Sequence, residues 1–193
     1  MTTIWWVRHG PTHRKEMMGW TDVPADLSDT EALARLSGFL PIAPVVSSDL
    51  SRAVATADAI QGTRDRLPHM PDLRELNFGD WEGRSAQDLF AEDPEAVSAY
   101  WNDPASVRPP GGESFTDLAG RVNAAIDALA GHGELVAVAH FGVILTQLHR
   151  ALGGEVKDVL GHRIENLSVT ELRLGAAGWT AGVVNHKIGR AHV

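Results

Sequence analysis

The stretch Val7-Arg8-His9-Gly10-Pro11-Thr12 narrows the possible folds of this chain more than any other. Thr2 to Val7 is a β-branched and aromatic run that stops abruptly at an arginine, a histidine and a Gly-Pro pair. Such a run reads as a buried strand that delivers its last residues to a sheet edge. The pattern recurs later in the chain. Leu135 to Ala139 is a compact apolar run ending at His140, with Val143, Ile144, Gln147, Leu148 and Leu152 following at helical spacing. Val45 to Ser48 is a short buried strand, and Leu50, Ala53, Val54, Ala57 and Ile60 then place Arg52 in the first turn of a helix. Arg8, His9, Arg52 and His140 thus fall just beyond three inferred strands. In a parallel sheet they converge on one rim, where α/β proteins bind their ligands.

The remaining chain supplies the other layers. Ser28-Asp29-Thr30-Glu31 reads as a capping box ahead of Leu33, Leu36 and Leu40, and Pro41 and Pro44 end that helix. Leu73 to Trp81 reads as an extended or loop segment, followed by two short helices opening at Ser85 with Asp88 and at Asp93-Pro94. Phe115, Leu118, Val122, Ile126 and Leu129 form a helical stripe that Gly131 and Gly133 terminate. Ser168 to Leu174 and Trp179 to Asn185 read as an antiparallel pair of strands, which makes the sheet mixed. The expected fold is α/β: a three-layer α/β/α sandwich with a mostly parallel central sheet. It forms a single domain over residues 1–193, with a small cap excursion over about 73–110.

Composition bounds the partners. A chain of 193 residues with 44% hydrophobic content supports one full core. A net charge of −8 argues against nucleic acid or an anionic membrane, so any bound anion needs a local positive pocket. The absence of cysteine excludes disulfides and thiolate metal sites and suits a reducing cytosol. The start of the chain does not resemble a secretory signal, and no apolar stretch approaches membrane-spanning length. A soluble, cytoplasmic protein is expected.

Two guanidiniums and two imidazoles around one point make an anion pocket, and the arginine fork suits phosphoryl oxygens. Taken singly, each group has a plainer explanation: Arg8, Arg52 and Glu75 as surface charges, His140 as a core histidine. Their joint order favours a site. His13 follows His9 at the spacing of a helical metal pair, but Gly10-Pro11 argues against a helix there, and no metal or cofactor is expected. His69, His132, His149, His162, His186 and His192 read as solvated element ends. Glu82 and Glu113 suit loop hydrogen bonds as well as substrate contact. Trp5 and Trp6 read as packing residues, while Trp20, Trp81, Tyr100 and Trp101 suit either packing or an aromatic wall. No Walker loop, G-x-G-x-x-G, G-x-S-x-G or H-E-x-x-H occurs.

Arg8-His9-Gly10-Pro11-Thr12 resembles the Arg-His-Gly-x-Thr signature of the histidine phosphatase superfamily, the phosphoglycerate-mutase-like fold. Ser47 to Ala53 with Thr56-Ala57 is similar to the family's second motif, and Leu73 to Gly83 resembles the segment carrying its acidic residue. Pro110 to Ser114 matches the entry to its long helix, Ala139-His140 lies where its second histidine is expected, and Asn166-Leu167-Ser168 fits the start of its last hairpin. The resemblance implies that His9 attacks phosphorus and becomes a transient phosphohistidine. Arg8, Arg52 and His140 then hold the phosphoryl oxygens, and Glu75 protonates the leaving oxygen. A backbone carbonyl at the Gly10 turn would fix the His9 tautomer. The implied activity is metal-independent hydrolysis of a small-molecule phosphomonoester. A phosphomutase acting on a phosphoglycerate-type substrate and a non-catalytic phospho-ligand or phosphoprotein binding module are the alternatives. The chain departs from the family pattern at Phe141, which precedes Gly142 where glycine is common. It departs also at Leu145 in place of a common arginine, at Lys15 in place of asparagine, and at Pro11.

Overall fold

The structure, a computed structural model, describes residues 1–189; His192 lies outside them. Along β1 (Thr2–Arg8) the side chains alternate as a pleated strand requires. The first helix, α1 (Thr30–Phe39), leads into β2 (Val45–Ser47) and α2 (Ser51–Gln61). Two short 3-10 turns, Pro71–Leu73 and Gly79–Trp81, precede α3 (Ala86–Glu92) and α4 (Pro94–Asn102). The long helix α5 (Phe115–Ala128) is followed by β3 (Glu134–Ala139), α6 (Phe141–Leu152) and α7 (Val156–Leu160). The described chain closes with β4 (Val169–Gly175) and β5 (Gly178–Ala181).

The five strands lie in the order β2-β3-β1-β4-β5. β2, β3 and β1 run parallel, while β4 is antiparallel to β1 and β5 to β4. Alternation sorts the strand residues between two cores. Ile4, Trp6, Val46, Ala137 and Ala139 join the buried residues of α5 and α6 on one face. Val7, Val45, Val136, Val138 and Val169 join those of α1 and α2 on the other. This is a three-layer α/β/α sandwich with a mixed sheet. Because β1, β2 and β3 point the same way, residues 9, 48 and 140 emerge at one rim.

Local chemistry explains the boundaries. Ser114 and Asp117 form a reciprocal capping box at the start of α5. Ser85 and Asp93 cap α3 and α4 as expected, with Pro94 in the first turn of α4. The cap of α1 is Asp29 rather than Ser28. Asp26 takes the Ser28 N–H at 2.9 Å, which leaves Ser28 in a turn and gives Asp29 the Ala32 N–H at 2.9 Å. The last strand is shorter than Trp179 to Asn185. Glu171 pairs with both Gly182 and Val183, a bulge that ends regular pairing before the chain meets β4 again at His186. The short α7 has no counterpart in the sequence reading, because five residues are too few to display a helical period. His186 is half-buried, its ring 5.0 Å from that of Phe39, rather than solvated. Among the described residues no helix is long and apolar enough to cross a membrane.

Candidate active site

The site is assembled from the carboxyl ends of the three parallel strands. His9 continues β1 by donating its N–H to Ala139 O at 3.0 Å, and its own carbonyl accepts from Asn166 Nδ2 at 2.8 Å. The Gly10 N–H donates to Thr56 Oγ1 at 2.9 Å, and the Thr56 hydroxyl donates to Arg52 O at 2.7 Å. The turn after β1 is therefore tied to α2. A side chain at Gly10 would meet Leu27 at 2.5 Å and the Asp26 carbonyl at 3.2 Å, so the turn is closely packed.

His9 Nδ1 lies 2.7 Å from Gly10 O. A carbonyl can only accept, so Nδ1 carries the proton and Nε2 keeps a free electron pair. Burial pushes His9 down to about 3, with the Arg52 and Arg8 charges acting in the same direction and the Gly10 carbonyl against them. The imidazole is neutral at physiological pH. His140 lies beside it, fully buried, with ring centroids 5.1 Å apart. Burial, then His9 and the nearby arginines, hold His140 well below the usual histidine range. Among the described residues neither of its ring nitrogens has a hydrogen-bond partner. An unsatisfied buried imidazole is costly, and a phosphoryl oxygen or hydroxyl within reach would relieve that cost.

Arg52 is 1% exposed. Its Nη1 donates to Thr21 O at 3.0 Å and its Nη2 to Gly19 O at 2.6 Å. That loop is held by Glu82, whose carboxylate accepts from the N–H groups of Gly19, Trp20, Thr21 and Phe78 and from the Thr21 hydroxyl. Burial opposes charge on Glu82, but these donors, the Thr21 hydroxyl foremost, hold the carboxyl below its ordinary value. Arg8 donates to Ile164 O at 2.6 Å and lies 5.3 Å from the Phe141 ring centre. Burial lowers both arginines from their ordinary value, and the Glu75 carboxylate opposes the shift.

Glu75 comes from the loop between the two 3-10 turns. Its Oε1 accepts from Leu76 N–H at 2.9 Å and Gly142 N–H at 3.0 Å, and its Oε2 lies 3.1 Å from the same Gly142 nitrogen. A Cβ at position 142 would stand 2.3 Å from Oε1, so a larger residue there would displace the Glu75 carboxylate. The Glu75 carbonyl accepts from Trp20 Nε1 at 2.8 Å and Arg121 Nη2 at 2.7 Å. Arg121 also holds the carbonyls of Asp72 and Arg74 and forks onto Glu113 at 2.8 Å.

Arg8, His9, Arg52 and Glu75 line one cavity of about 240 Å³, with Phe78 and Phe141 on its walls. His140 is not among the residues lining this cavity, but its ring centre lies 5.1 Å from that of His9. Arg14 reaches this cavity whereas Lys15 is exposed and does not line it. Leu145 is buried in the core face of α6, away from the rim. Glu82 and Glu113 serve loop hydrogen bonds. The supporting residues Asn166, Thr56, Trp20 and Arg121 were not distinguishable as such in the sequence. Only the motif matches around Thr56 and Asn166 pointed to two of them. His13 pairs with Asp26 at 2.8 Å, and among the described residues no group of three His, Asp or Glu side chains is arranged to hold a metal ion.

Comparison with known proteins bears on the family and the fold. A family model described as the histidine phosphatase superfamily (branch 1) matches residues 4–187. An adenosylcobalamin/alpha-ribazole phosphatase of Salmonella typhimurium is 31% identical over 172 residues, covering 84% of this chain and 85% of the relative. The crystal structure of the alpha-ribazole phosphatase from Shigella flexneri superposes with a TM-score of 0.83 at 28% identity, covering 98% of this chain and 100% of that one. A mycobacterial glucosyl-3-phosphoglycerate phosphatase superposes with a TM-score of 0.81 at 27% identity, covering 96% and 99%.

Proposed function

The chain belongs to the histidine phosphatase superfamily and is a phosphatase of that type; we propose that it hydrolyses a small phosphomonoester without a metal, through a phosphohistidine on His9. The observation that carries this reading is the neutral His9, its Nδ1 tied to the Gly10 carbonyl, in one cavity wall with Arg8, Arg52 and Glu75. The Nε2 electron pair forms a bond to phosphorus as the bond from phosphorus to the ester oxygen breaks. The departing oxygen takes the electron pair and a proton from Glu75. Arg8, Arg52 and His140 hold the three remaining phosphoryl oxygens and offset their charge. Glu75, now a carboxylate, removes a proton from water as that water attacks phosphorus, and His9 leaves as the neutral imidazole. Residues 73–110 act as a small cap beside this chemistry within a single domain working in the cytosol.

The test is release of inorganic phosphate from a panel of phosphomonoesters, with and without chelator. The panel includes the esters for which the relatives are named, alpha-ribazole phosphate and glucosyl-3-phosphoglycerate. Chelator-insensitive release is expected, together with an acid-labile phosphoenzyme that His9→Ala lacks. Strict dependence on added metal, or phosphoenzyme persisting in His9→Ala, would overturn the mechanism. Phosphoryl migration within a phosphoglycerate without net release would establish a mutase instead.

A further inference from the structure

A second cavity adjoins the catalytic one. Of about 120 Å³, it shares Glu75, Phe78 and Phe141 with the catalytic cavity and continues between Tyr100 and Trp101 of α4 and Phe115 and Leu118 of α5. Its lining is almost wholly apolar. Tyr100 is buried, braced edge-on against Trp81 at 5.4 Å and Trp101 at 5.2 Å, so this wall is stiff. Burial, with the Glu75 charge behind it, pushes the Tyr100 phenol up to about 12, as a poorly hydrated wall would. Trp101 stands at the mouth, 53% exposed.

The position of this slot relative to the reacting atoms gives it a use. In an in-line transfer the leaving oxygen lies opposite the attacking nitrogen, and it must reach Glu75 to be protonated. Glu75 is fixed against the Gly142 N–H, and the slot begins at Glu75. A larger cavity of about 760 Å³ lies against Phe141 and shares Arg8, but neither His9 nor Glu75 lines it. The apolar slot is thus the space next to Glu75, Phe78 and Phe141 that a carbon attached to the leaving oxygen can enter. A hydroxyl placed there would shed water and find few partners, whereas a hydrocarbon group would gain by burial.

We propose that this slot receives the leaving group, so that the preferred substrates are phosphate esters of alcohols carrying a compact apolar or aromatic group near the ester oxygen, not esters of polyols. The proposal rests on the phosphatase reading for its chemistry, but binding tests it separately.

Two non-hydrolysable phosphonates, phenylpropylphosphonate and dihydroxybutylphosphonate, match phenethyl phosphate and glycerol phosphate in length. Calorimetric titration of the wild-type protein is expected to show the phenyl compound binding at least about tenfold more tightly. Trp101→Ala, at a half-exposed position outside the core, should reduce that ratio by about threefold or more by uncovering the slot. Binding of the two phosphonates within a factor of about two, or a ratio that Trp101→Ala leaves unchanged, overturns the slot. Hydrolysis of the two esters then separates the claims. Equal kcat/KM values for phenethyl and glycerol phosphate sink the slot and leave the phosphatase standing. Phosphonate preference without ester hydrolysis or phosphoenzyme supports the slot as a binding site and sinks the phosphatase reading.

Discussion

The two sides of the proposed reaction centre are built by different means. The proposed phosphate side, with His9, His140 and Arg52, stands on the ends of parallel strands and the first turn of α2, where the sheet register fixes each position. The acid side is a single carboxylate on a loop between two 3-10 turns, held by hydrogen bonds from Trp20, Arg121 and Gly142. A strand end is positioned by the core beneath it, so its geometry tolerates the loss of any one polar contact. A loop depends on particular side chains far away in sequence, so the acid side is the more easily displaced.

The largest effects should separate the two sides by chemistry. His9→Ala removes the nucleophile, and turnover should be lost for every ester whatever its leaving group. Glu75→Gln keeps a hydrogen-bonding group of similar shape but supplies no proton. Its kcat/KM, which ends at phosphoenzyme formation and so excludes the later water step, should fall about 10²- to 10⁴-fold for an alkyl phosphate. With nitrophenyl phosphate, whose leaving group departs without a proton, the loss should shrink markedly. An equal loss with both esters would remove Glu75 from the role of proton donor.

This contrast also decides how much could be read from the chain alone. Apolar runs that stop at Arg8-His9 and at His140 announce strands and what those strands carry, because burial and period are local properties. Arg52 was legible for the same reason, one turn into an amphipathic helix. Glu75 was legible only through its surrounding motif. Its supports were not, since Arg121 lies 46 residues from the carbonyl it holds and looks in the sequence like a polar position on the flank of α5. Glu82 reaches back across 61 to 63 residues to the loop that holds Arg52. The Asp29 cap and the bulge at Gly182 were missed because neighbouring residues competed for the same backbone groups.

Arg121→Ala tests the dependence of the acid side on its distant support. The substitution removes the Arg121 bonds to the carbonyls of Asp72, Arg74 and Glu75, the last keeping its bond from Trp20 Nε1, and leaves Glu113 without its arginine partner. A displacement of the catalytic group of about 1 Å costs on the order of 10²-fold in rate, so kcat/KM for an alkyl phosphate should fall by about 10- to 100-fold. The fall should be smaller for nitrophenyl phosphate, as for Glu75→Gln, with little change in inhibition by inorganic phosphate. A uniform loss across both esters, accompanied by weaker phosphate inhibition, would show that the disturbance reaches the strand-end side and that the two halves are not independent.

The smallest expected effect lies on the phosphate side and appears as a dependence of stability on pH. His9 has a folded-state value of about 3 against an ordinary 6.5, because burial disfavours the imidazolium. The unfolded chain therefore binds a proton below pH 6.5 that the folded chain refuses until about pH 3. The stability associated with neutral His9 is fully present above 6.5 and is lost progressively as pH falls from 6.5 toward 3. His140 is shifted in the same direction by the same burial. At about 1.4 kcal/mol per unit, acidifying from pH 6.5 to 5 should cost about 2 kcal/mol through His9 alone. Urea titrations at the two pH values should show this loss in wild type, and a shallower loss in His9→Ala, where no imidazole at position 9 remains to be protonated. An identical pH slope in the variant would mean that His9 is not held neutral by the fold, and the free electron pair required for attack would lose its physical basis.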